Sequence, residues 1–325
     1  MAEPLSAVDV QVEAAAQRLQ SGQLVAFPTE TVYGLGARAD DDQAVGRIFA
    51  AKGRPADHPL IVHVASIAAA EHFAASLSPA AQRLMAAFWP GPLTLIVPRR
   101  TGVAKAAAGG QDSVGLRMPA HPLALSWLQR AAQLGVAGVA GPSANRFGRV
   151  SPTTAEHVRQ EFGPDLMVLD GGACTVGIES AIVDCTRTPP ALLRPGQLSQ
   201  QQLEQALGLT LAAPDAASPR ASGTLESHYA PSVPVRLWAT ADLAVRLSRP
   251  AQPGEVVAVY SRLMPPAGLG WRHRPMASQS AQVAHDLFSV LRDLDQADVD
   301  AIWVERPPAE ADWDGVRDRL QRAAA

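Results

Sequence analysis

Short apolar runs of strand length alternate with helix-patterned segments through the first two thirds of this 325-residue chain. Residues 8–20 have apolar side chains at helical spacing, and the apolar run 24–27 follows after Ser21 and Gly22. Further strands are predicted at 60–64, 93–97, 114–118, 136–140, 167–169, 181–184 and 191–193, and helices at 44–52, 80–88, 123–134 and 153–162. This alternation predicts an α/β fold in which helices cover a sheet.

The length of the chain and its 47% hydrophobic content favour two domains. Residues 210–234 are rich in Ala, Pro, Ser and Gly and lack apolar periodicity, as is typical of a linker. We therefore predict a first domain at 1–209, a linker at 210–234 and a small α/β domain at 235–325. The predicted strands of the small domain are 235–238, 256–260 and 302–304, and its predicted helices are 241–247, 282–294 and 314–321.

Composition narrows the class of protein. Twenty-eight Lys+Arg against 31 Asp+Glu give a net charge of -3, which disfavours a large nucleic-acid surface but leaves room for a local basic pocket. Cys174 and Cys185 are the two cysteines, and their spacing matches neither a disulfide framework nor a zinc site. The N-terminal segment has no signal-peptide pattern, and we expect a cytoplasmic protein without a membrane segment.

The segment FPTETVYGLGA, residues 27–37, places two threonines, a glutamate and a tyrosine directly after the first predicted strand. A second polar cluster contains Lys52, Arg54, His58 and His63. The helix dipole accounts for cations at the end of a helix, so replacing Lys52 or Arg54 should cost well under ~1 kcal/mol of stability. It does not account for the histidines, which a stiff Gly/Pro loop would hold at the rim of the sheet, where a polyphosphate could bind.

Two further segments combine turn residues with polar side chains. Ser151 precedes a proline, as at an ordinary helix start, whereas Ser143 and Asn145 have no helix to cap. Ser180 enters a predicted strand and Arg194 ends another, although an arginine before Pro-Gly is often only a solvated turn. Taken separately, each cluster is compatible with a site or with a scaffold.

Several segments together resemble the threonylcarbamoyl-AMP synthase family in its long two-domain form; they are PTETVYGLG, KGRPADHPLIVH, SVGLRMP, GIESAIVD, LLRPG and SHYAP, with the Ser143-x-Asn145 pair. The resemblance extends through nearly the whole first domain and into the linker. It implies a YrdC-like first domain with a twisted, largely covered open sheet, and a smaller Rossmann-like α/β second domain.

The resemblance also implies an activity. Members of this family are nucleotidyltransferases that convert L-threonine, bicarbonate and ATP into threonylcarbamoyl-AMP and pyrophosphate. The adenylate passes to a downstream threonylcarbamoyl-transferase machinery that modifies tRNA, and a weak direct contact with tRNA is compatible with this role. Mg²⁺ is expected to enter with ATP, and no protein ligand is assigned to it.

Site residues follow by position from the same resemblance. Thr31 is placed at the substrate threonine, which explains the hydroxyl-rich segment, and Arg117 is a natural bidentate partner for a carboxylate. The other threonine-binding residues implied are His63, Gly141 and Ser180. The ATP-binding residues implied are Arg54, His58, Ser113, Ser143, Ser151, Arg194 and Tyr229, and the catalytic set is Lys52, Arg54, Ser143 and Asn145. Where relatives often carry Asn, this chain has His58.

Tyr229 lies in the predicted linker, and the resemblance places it at the nucleotide. We therefore expect the linker to fold over the first domain as a lid that shields the bound nucleotide and a labile carbamate from water. A linker that serves only as a tether is the competing interpretation.

Two other functions remain to be tested. Gly34-x-Gly36-x-x-Ala39 superficially matches the fingerprint of a dinucleotide oxidoreductase, but these glycines lie several residues past the strand and precede no helix directly. A non-catalytic RNA-binding module could use Lys52, Arg54, Arg117 and Arg194 to hold phosphates. Pyrophosphate release that depends on threonine and bicarbonate separates an enzyme from such a module.

Overall fold

A computed structural model describes residues 6–225, 227–252, 254–296 and 298–325. Within these ranges, nine strands between residues 25 and 194 form a mixed sheet, and four parallel strands between residues 235 and 305 form a second sheet. The predicted α/β class is confirmed. Residues 1–5 of the predicted first domain, Glu226 of the predicted linker, and Pro253 and Ala297 of the predicted second domain lie outside the described residues.

The elements of the first domain mostly begin and end near the predicted boundaries. Ser6 and Asp9 form a capping box at the first helix, and Gly53 ends the second in the left-handed conformation. Helices α1–α7 are Ala7–Gln20, Asp42–Lys52, Ile67–Phe73, Pro79–Phe88, Pro122–Gln133, Ala155–Phe162 and Gln200–Leu207. Strands β1–β9 are Val25–Phe27, Gly34–Arg38, Ile61–His63, Leu93–Pro98, Ser113–Arg117, Val139–Ala140, Met167–Val168, Ala181–Asp184 and Ala191–Arg194.

The strand order of the large sheet is β7-β1-β2-β6-β3-β5-β4-β8-β9. This order brings together segments that are far apart in sequence. Strands β3 and β5 are parallel neighbours, with His63 opposite Arg117. Strand β6 runs antiparallel to β3, and the amide of Gly141 donates to the carbonyl of Ile61 at 2.8 Å. The centre of the sheet therefore brings together His63, Arg117 and Gly141, three residues that the resemblance assigns to threonine binding.

Strand β2 occupies the GLGAR segment, for which the sequence predicted a loop. It lies between β1 and β6 in the sheet, and a side chain at Gly36 would come within 2.9 Å of Val139 and 3.1 Å of the Val25 carbonyl. These glycines therefore allow close packing within a sheet and do not open a helix. The dinucleotide-fingerprint interpretation is wrong for this reason.

Besides β2, three elements are absent from the sequence predictions. Helices α3 and α7 are short, with seven and eight residues, and each buries only two side chains. The strand Arg272–Pro275 is an edge strand of the second sheet and is mostly exposed, so it carries no apolar pattern. Helix α6 begins at Ala155 with Thr154 as its cap, so the expectation that Ser151 starts this helix is wrong.

The second sheet has the order β10-β13-β11-β12 with all neighbours parallel. Its strands β10–β13 are Val235–Trp238, Val257–Ser261, Arg272–Pro275 and Ala301–Glu305. Helices α8–α10 are Thr240–Leu247, Ser280–Leu294 and Asp314–Ala323. Val176, Ile178 and Tyr229 join Phe288 and Leu320 in one buried apolar cluster, so this sheet's core is continuous with the first domain and the linker. In the described part of the chain, no helix combines the length and apolarity needed to cross a membrane.

Candidate active site

A cavity with about 490 Å³ of empty space, part of it open to solvent, lies against the large sheet. Ile61 and His63 both line it. Because they are two residues apart on β3, their side chains lie on the same face of the sheet. The cavity thus lies over a face of the sheet, and His63, the last residue of β3, lines it at that end of the strand. The predicted site residues that line it are Thr31, Arg54, His63, Arg117, Gly141, Ser143, Ser180, Arg194 and Tyr229.

The two threonines of the 27–37 segment have different roles. The hydroxyl of Thr29 accepts from the amides of Thr31 and Val32, both at 3.1 Å, and donates to the Val32 carbonyl at 2.6 Å. Thr29 therefore fixes the turn through local hydrogen bonds. The buried hydroxyl of Thr31 lies 2.8 Å from that of Thr29, and Thr31 lines the cavity. The turn thus presents Thr31 to a ligand.

Arg117 is buried and forms an ion pair with Glu30 at 2.7 Å between Nη2 and Oε1. The other oxygen of Glu30 accepts from the amide of Ala120 at 3.0 Å, which anchors the carboxylate. A buried guanidinium needs such a partner, and Glu30 was not among the predicted site residues. Because Nε also donates to the Gly91 carbonyl at 3.3 Å, only the remaining donors of the Arg117 guanidinium are open to a ligand.

His63 is a neutral residue at this site. Burial and the nearby Arg117 lower the pKa of its imidazole to about 3. A side chain at Gly141 would come within 3.0 Å of His63 Nδ1 and 2.8 Å of the Phe27 ring, so glycine keeps the space beside the imidazole open. A neutral imidazole can accept or donate a hydrogen bond, which suits a hydroxyl or amino group of a ligand.

Arg54 supplies a second cation to the wall of the cavity. Its Nη2 donates to the Pro59 carbonyl at 2.9 Å, and its guanidinium carbon lies 5.7 Å from the centre of the Phe147 ring. Burial lowers the pKa of Arg54 to about 10, so the group remains charged at neutral pH. This arrangement holds a cation at the cavity in a fixed position.

Lys52 and Asn145 lie behind the cavity wall. The ammonium of Lys52 is buried and donates to the carbonyls of Ser143, at 2.6 Å, and of Asn145. The amide group of Asn145 donates to the Arg149 carbonyl at 2.8 Å. These bonds shape the turn that carries Ser143, so both residues position the wall from behind. Their predicted catalytic role remains a prediction.

Replacing Lys52 with alanine should lower the free energy of unfolding by about 1 to 3 kcal/mol, because it leaves two buried carbonyls without their donor. The smaller loss of stability expected for a solvated charge at a helix end is wrong for Lys52, because its ammonium is buried. Burial also lowers the pKa of this ammonium well below its ordinary value. Chemical denaturation measures the loss. Lys105→Ala, in an exposed turn, is the control and should leave stability unchanged. A Lys52→Ala protein as stable as that control would contradict this reading of the turn.

Other predicted residues lie beside the cavity. His58 lines an adjoining cavity of about 380 Å³ that shares Arg54, Gly223 and His228 with the main cavity. Ser113 lines another, of about 280 Å³, that shares Ile61 and Ser222 with it. The shared residues 222, 223 and 228 all belong to the linker. The predicted ATP-binding residues are therefore distributed over neighbouring cavities with linker residues in their common walls.

The linker is fastened to the first domain at this point. Arg194 donates to the carbonyls of Ser180, at 3.0 Å, and Ser222, at 2.8 Å. A side chain at Gly223 would come within 2.3 Å of the Tyr229 hydroxyl, so glycine is required for this approach. Tyr229 itself is buried with a φ of 63°, a conformation that non-glycine residues rarely adopt and that is frequent at functional sites.

Ser151 leads to two site residues that sequence reasoning missed. Its hydroxyl does not line the cavity and donates to Glu179 at 2.5 Å. Glu179 does line the cavity, and its other oxygen accepts from Arg319 of helix α10 at 2.8 Å. A signal for Arg319 exists in the sequence, since it shares a helix face with Val316, Leu320 and Ala323 and should be buried with them.

Several buried polar atoms at the cavity have no hydrogen-bond partner among the described residues; they are Arg54 Nε, His63 Nδ1, His228 Nδ1 and the Tyr229 hydroxyl. Buried polar groups in folded proteins are almost always hydrogen-bonded, so such a concentration marks a place where a ligand supplies the partners. The cavity is therefore a polar binding site with cationic and neutral donors.

The fold and the cavity define a class of two-domain α/β proteins whose ligand site lies over a mixed sheet and is closed by an interdomain linker. A family model described as "Telomere recombination" matches residues 17–196, and a model described as "Threonylcarbamoyl-AMP synthase, C-terminal domain" matches residues 198–325. The chain belongs to the threonylcarbamoyl-AMP synthase family, in its two-domain form.

Full-length relatives support this assignment. The chain is 38% identical to a threonylcarbamoyl-AMP synthase from Pyrococcus abyssi, with 96% of this chain and 94% of the relative aligned. It is 36% identical to a threonylcarbamoyl-AMP synthase from Bacillus subtilis, over 98% and 94% of the two chains. A crystal structure of P. abyssi Sua5 complexed with L-threonine has a TM-score of 0.86 and 35% identity, and the match covers 99% of this chain and 96% of that one.

Proposed function

We propose that this chain is a nucleotidyltransferase that forms threonylcarbamoyl-AMP and pyrophosphate from L-threonine, bicarbonate and ATP, for the threonylcarbamoyl modification of tRNA adenosine. The observation that carries the proposal is the group of unpartnered buried polar atoms around one cavity, in a chain whose full length aligns with threonylcarbamoyl-AMP synthases. The acceptor of the adenylate is proposed to be a separate threonylcarbamoyl-transferase machinery acting on tRNA.

The threonine end of the site is proposed to lie between Thr31, His63 and Arg117. The remaining donors of the Arg117 guanidinium would bind the substrate carboxylate, and Glu30 would hold that guanidinium in place. Neutral His63 can face the amino group of threonine without charge repulsion, which favours the uncharged amine. The amine nitrogen bonds to the carbon of bicarbonate, a C–O bond of bicarbonate breaks, and water leaves with a proton from the amine to give the carbamate. Gly141 and Ser180 would complete this end of the pocket.

The nucleotide end is proposed to lie toward Arg54, Ser143 and Tyr229. A carbamate oxygen of the carboxylated threonine attacks the α-phosphorus of ATP, the bond from this phosphorus to the bridging oxygen of pyrophosphate breaks, and pyrophosphate leaves with the electron pair. No side-chain nucleophile is needed, so positioning and charge stabilisation dominate. Arg54 is suited to stabilise the negative charge that develops on the phosphates, and Ser143 offers a short donor nearby.

Magnesium is proposed to enter with ATP. The described residues contain no group of three or more His, Cys, Asp or Glu side chains arranged to hold a metal ion. Mg²⁺ bound to nucleotides commonly uses phosphate oxygens and water with few protein ligands, and the cavity is compatible with that mode. When bound, the ion would neutralise phosphate charge alongside Arg54.

Replacing Arg117 with lysine should raise the dissociation constant for threonine about tenfold or more while changing that for ATP much less, because an ammonium cannot reproduce the planar guanidinium that binds Glu30 and a carboxylate together. Paired calorimetric titrations of the two ligands measure the difference. Arg99→Lys, a neighbouring arginine that donates to the Gln111 carbonyl and does not line the cavity, is the control. Equal losses for both ligands would remove Arg117 from the amino-acid pocket.

The proposed reaction is tested by its product. Incubation with ATP, L-threonine and ¹⁴C-bicarbonate, followed by rapid chromatography, should give one labelled compound whose mass contains both threonine and AMP. A protein that binds tRNA tightly but forms no labelled adenylate would instead support the RNA-binding alternative.

A further inference from the structure

The second domain packs directly against the segment that leads into β8. Gly177 has a φ of 87°, and a side chain there would come within 2.3 Å of the His285 carbonyl in α9. Gly315 of α10 is equally close to the first domain, since a side chain would come within 2.6 Å of the Gly196 carbonyl. Two glycines on opposite sides of the interface thus allow α9 and α10 to approach the backbone beside the cavity.

Arg319 of α10 is the charged residue buried in this interface, with no exposed side-chain surface. Its Nη2 donates to the Glu179 carbonyl at 3.0 Å, and its Nη1 donates to the Pro195 carbonyl at 2.9 Å. Nε also donates to the Glu179 carboxylate, so all three nitrogens of the guanidinium donate hydrogen bonds to the first domain. Its central carbon also lies 5.4 Å from the centre of the Tyr229 ring.

Arg319 therefore touches two residues of the cavity wall, Glu179 and Tyr229, without lining the cavity itself. The Tyr229 ring contacts both Arg319 and Phe288 of α9, whose ring centre lies 5.3 Å away. Both neighbours come from the second domain. Tyr229 lines the cavity and its hydroxyl has no partner among the described residues, while its ring packs against side chains that lie outside the first domain.

We propose that Arg319 is a positioning residue through which the second domain completes the active site, by holding Glu179 and Tyr229 in their working positions. The proposal rests on the proposed function and adds a role for the second domain in that reaction. Arg319 acts at the nucleotide end, because Tyr229 is the residue proposed to contact ATP. Its loss should therefore weaken ATP binding more than threonine binding.

The pKa of the Glu179 carboxylate depends on Arg319 and can therefore be used to test this role. Burial would raise its pKa, but Arg319, Arg194 and the Ser151 hydroxyl outweigh burial and keep the pKa below its ordinary value. The charged and titratable groups that face Glu179 or Arg319 are Lys52 of α2, Arg194 of β9, His228 and Tyr229 of the linker, and Asp318 and Arg319 of α10. Removing the Arg319 charge should raise the pKa of Glu179.

The experiment compares full-length variants by pyrophosphate release across pH, with melting temperature measured in parallel. Arg319→Met should raise KM for ATP roughly 10- to 100-fold, with a smaller effect on threonine. The acidic limb of its kcat/KM profile should move to higher pH, because Glu179 protonates more easily without the nearby positive charge. Arg317→Met is the matched control, because Arg317 lies on the same helix and bonds only within the second domain among the described residues.

The double variant Arg319→Met with Glu179→Gln separates positioning from charge balance, because it leaves no unpaired buried carboxylate. It should melt closer to the wild type than Arg319→Met alone, lose the displaced acidic limb and still show a raised KM for ATP. Wild-type KM values in that double variant would overturn the proposal and reduce Arg319 to a structural ion pair. If Arg319→Met does not fold, Arg319→Lys and the double variant carry the same comparison.

A readout without turnover distinguishes failure of this proposal from failure of the proposed function. Without ligands, Arg319→Met should be cleaved by a protease near Pro219 several-fold faster than Arg317→Met, because Tyr229 is no longer held. Equal cleavage rates would overturn the positioning role even if both proteins are active. A wild-type protein that releases no pyrophosphate would refute the proposed function, while the cleavage comparison would still decide the role of Arg319.

Discussion

Replacing Arg54 with alanine is expected to lower the rate of pyrophosphate release about 100- to 1,000-fold, the cost typical of removing a donor that stabilises charge in a transition state. Arg54 is the charged residue at the proposed phosphate position whose Nε has no partner in the described residues. The measurement is steady-state turnover with saturating threonine and bicarbonate while ATP is varied. If KM for ATP rose and kcat did not change, Arg54 would stabilise bound ATP and the transition state equally.

The control for Arg54 is Arg47→Ala. Arg47 is exposed on the same helix that leads to Arg54, and it donates to the Gly22 carbonyl at 2.7 Å, away from the cavity. This variant should keep wild-type turnover. Circular dichroism and melting temperature should show that both variants are folded. Wild-type turnover in a folded Arg54→Ala protein would show that the phosphates are stabilised elsewhere.

Replacing Tyr229 with alanine is expected to lower kcat/KM for ATP about 100-fold, since it removes the linker side chain that closes the cavity beside Arg54 and Arg194. The ring also belongs to the buried cluster shared by the two domains, so a loss of stability of roughly 3 kcal/mol or more accompanies the change. Kinetics below the melting transition separate the two effects.

Tyr229→Phe is the matched control because it keeps the ring and removes the hydroxyl. That hydroxyl has no protein partner in the part of the chain described here, so stability should be unchanged while KM for ATP rises. In the wild type, cleavage near Pro219 should slow when ATP and threonine are both present. If ligands did not change the cleavage rate of the wild type, and Tyr229→Ala had wild-type kinetics, the linker would serve only as a tether.

The structure also changes how the linker must be tested. If residues 210–234 are a separable linker that acts as a lid, cutting the chain after Leu209 should leave a soluble first domain with impaired synthesis. Val176 and Ile178 of the first domain pack in the same cluster as Leu320 of α10, so such a cut would expose an apolar surface. Substitutions in the full-length chain avoid this confusion.

Local patterns predict much of this molecule because they reflect local physics. The helices α2 and α4 and the strands β4 and β8 follow from apolar periodicity and caps, and residues such as Arg54 and His63 stand out as polar side chains beside buried strands. Strand β2 is not predicted from the sequence because its glycines are typical of a loop, although they pack closely inside the sheet. Ser151 resembles a helix start because a Ser-Pro pair often precedes a helix, although its hydroxyl donates to Glu179.

The remaining features depend on contacts between distant parts of the chain. Glu179 and Arg319 are 140 positions apart, and no local pattern pairs them. Lys52 looks like a solvated helix end, but its ammonium is enclosed by the turn at Ser143. Burial and pairing of charged groups are decided by the tertiary fold, so single-sequence reasoning finds the residues of the cavity more readily than the residues that support it.

The most direct test of the central claim is pyrophosphate release by the full-length protein with ATP, threonine and bicarbonate, and with each omitted in turn under CO₂-free conditions. The account predicts release with all three substrates and release near background when any one is missing. Release that continues at the same rate without threonine or bicarbonate, or no release with all three present, would contradict it.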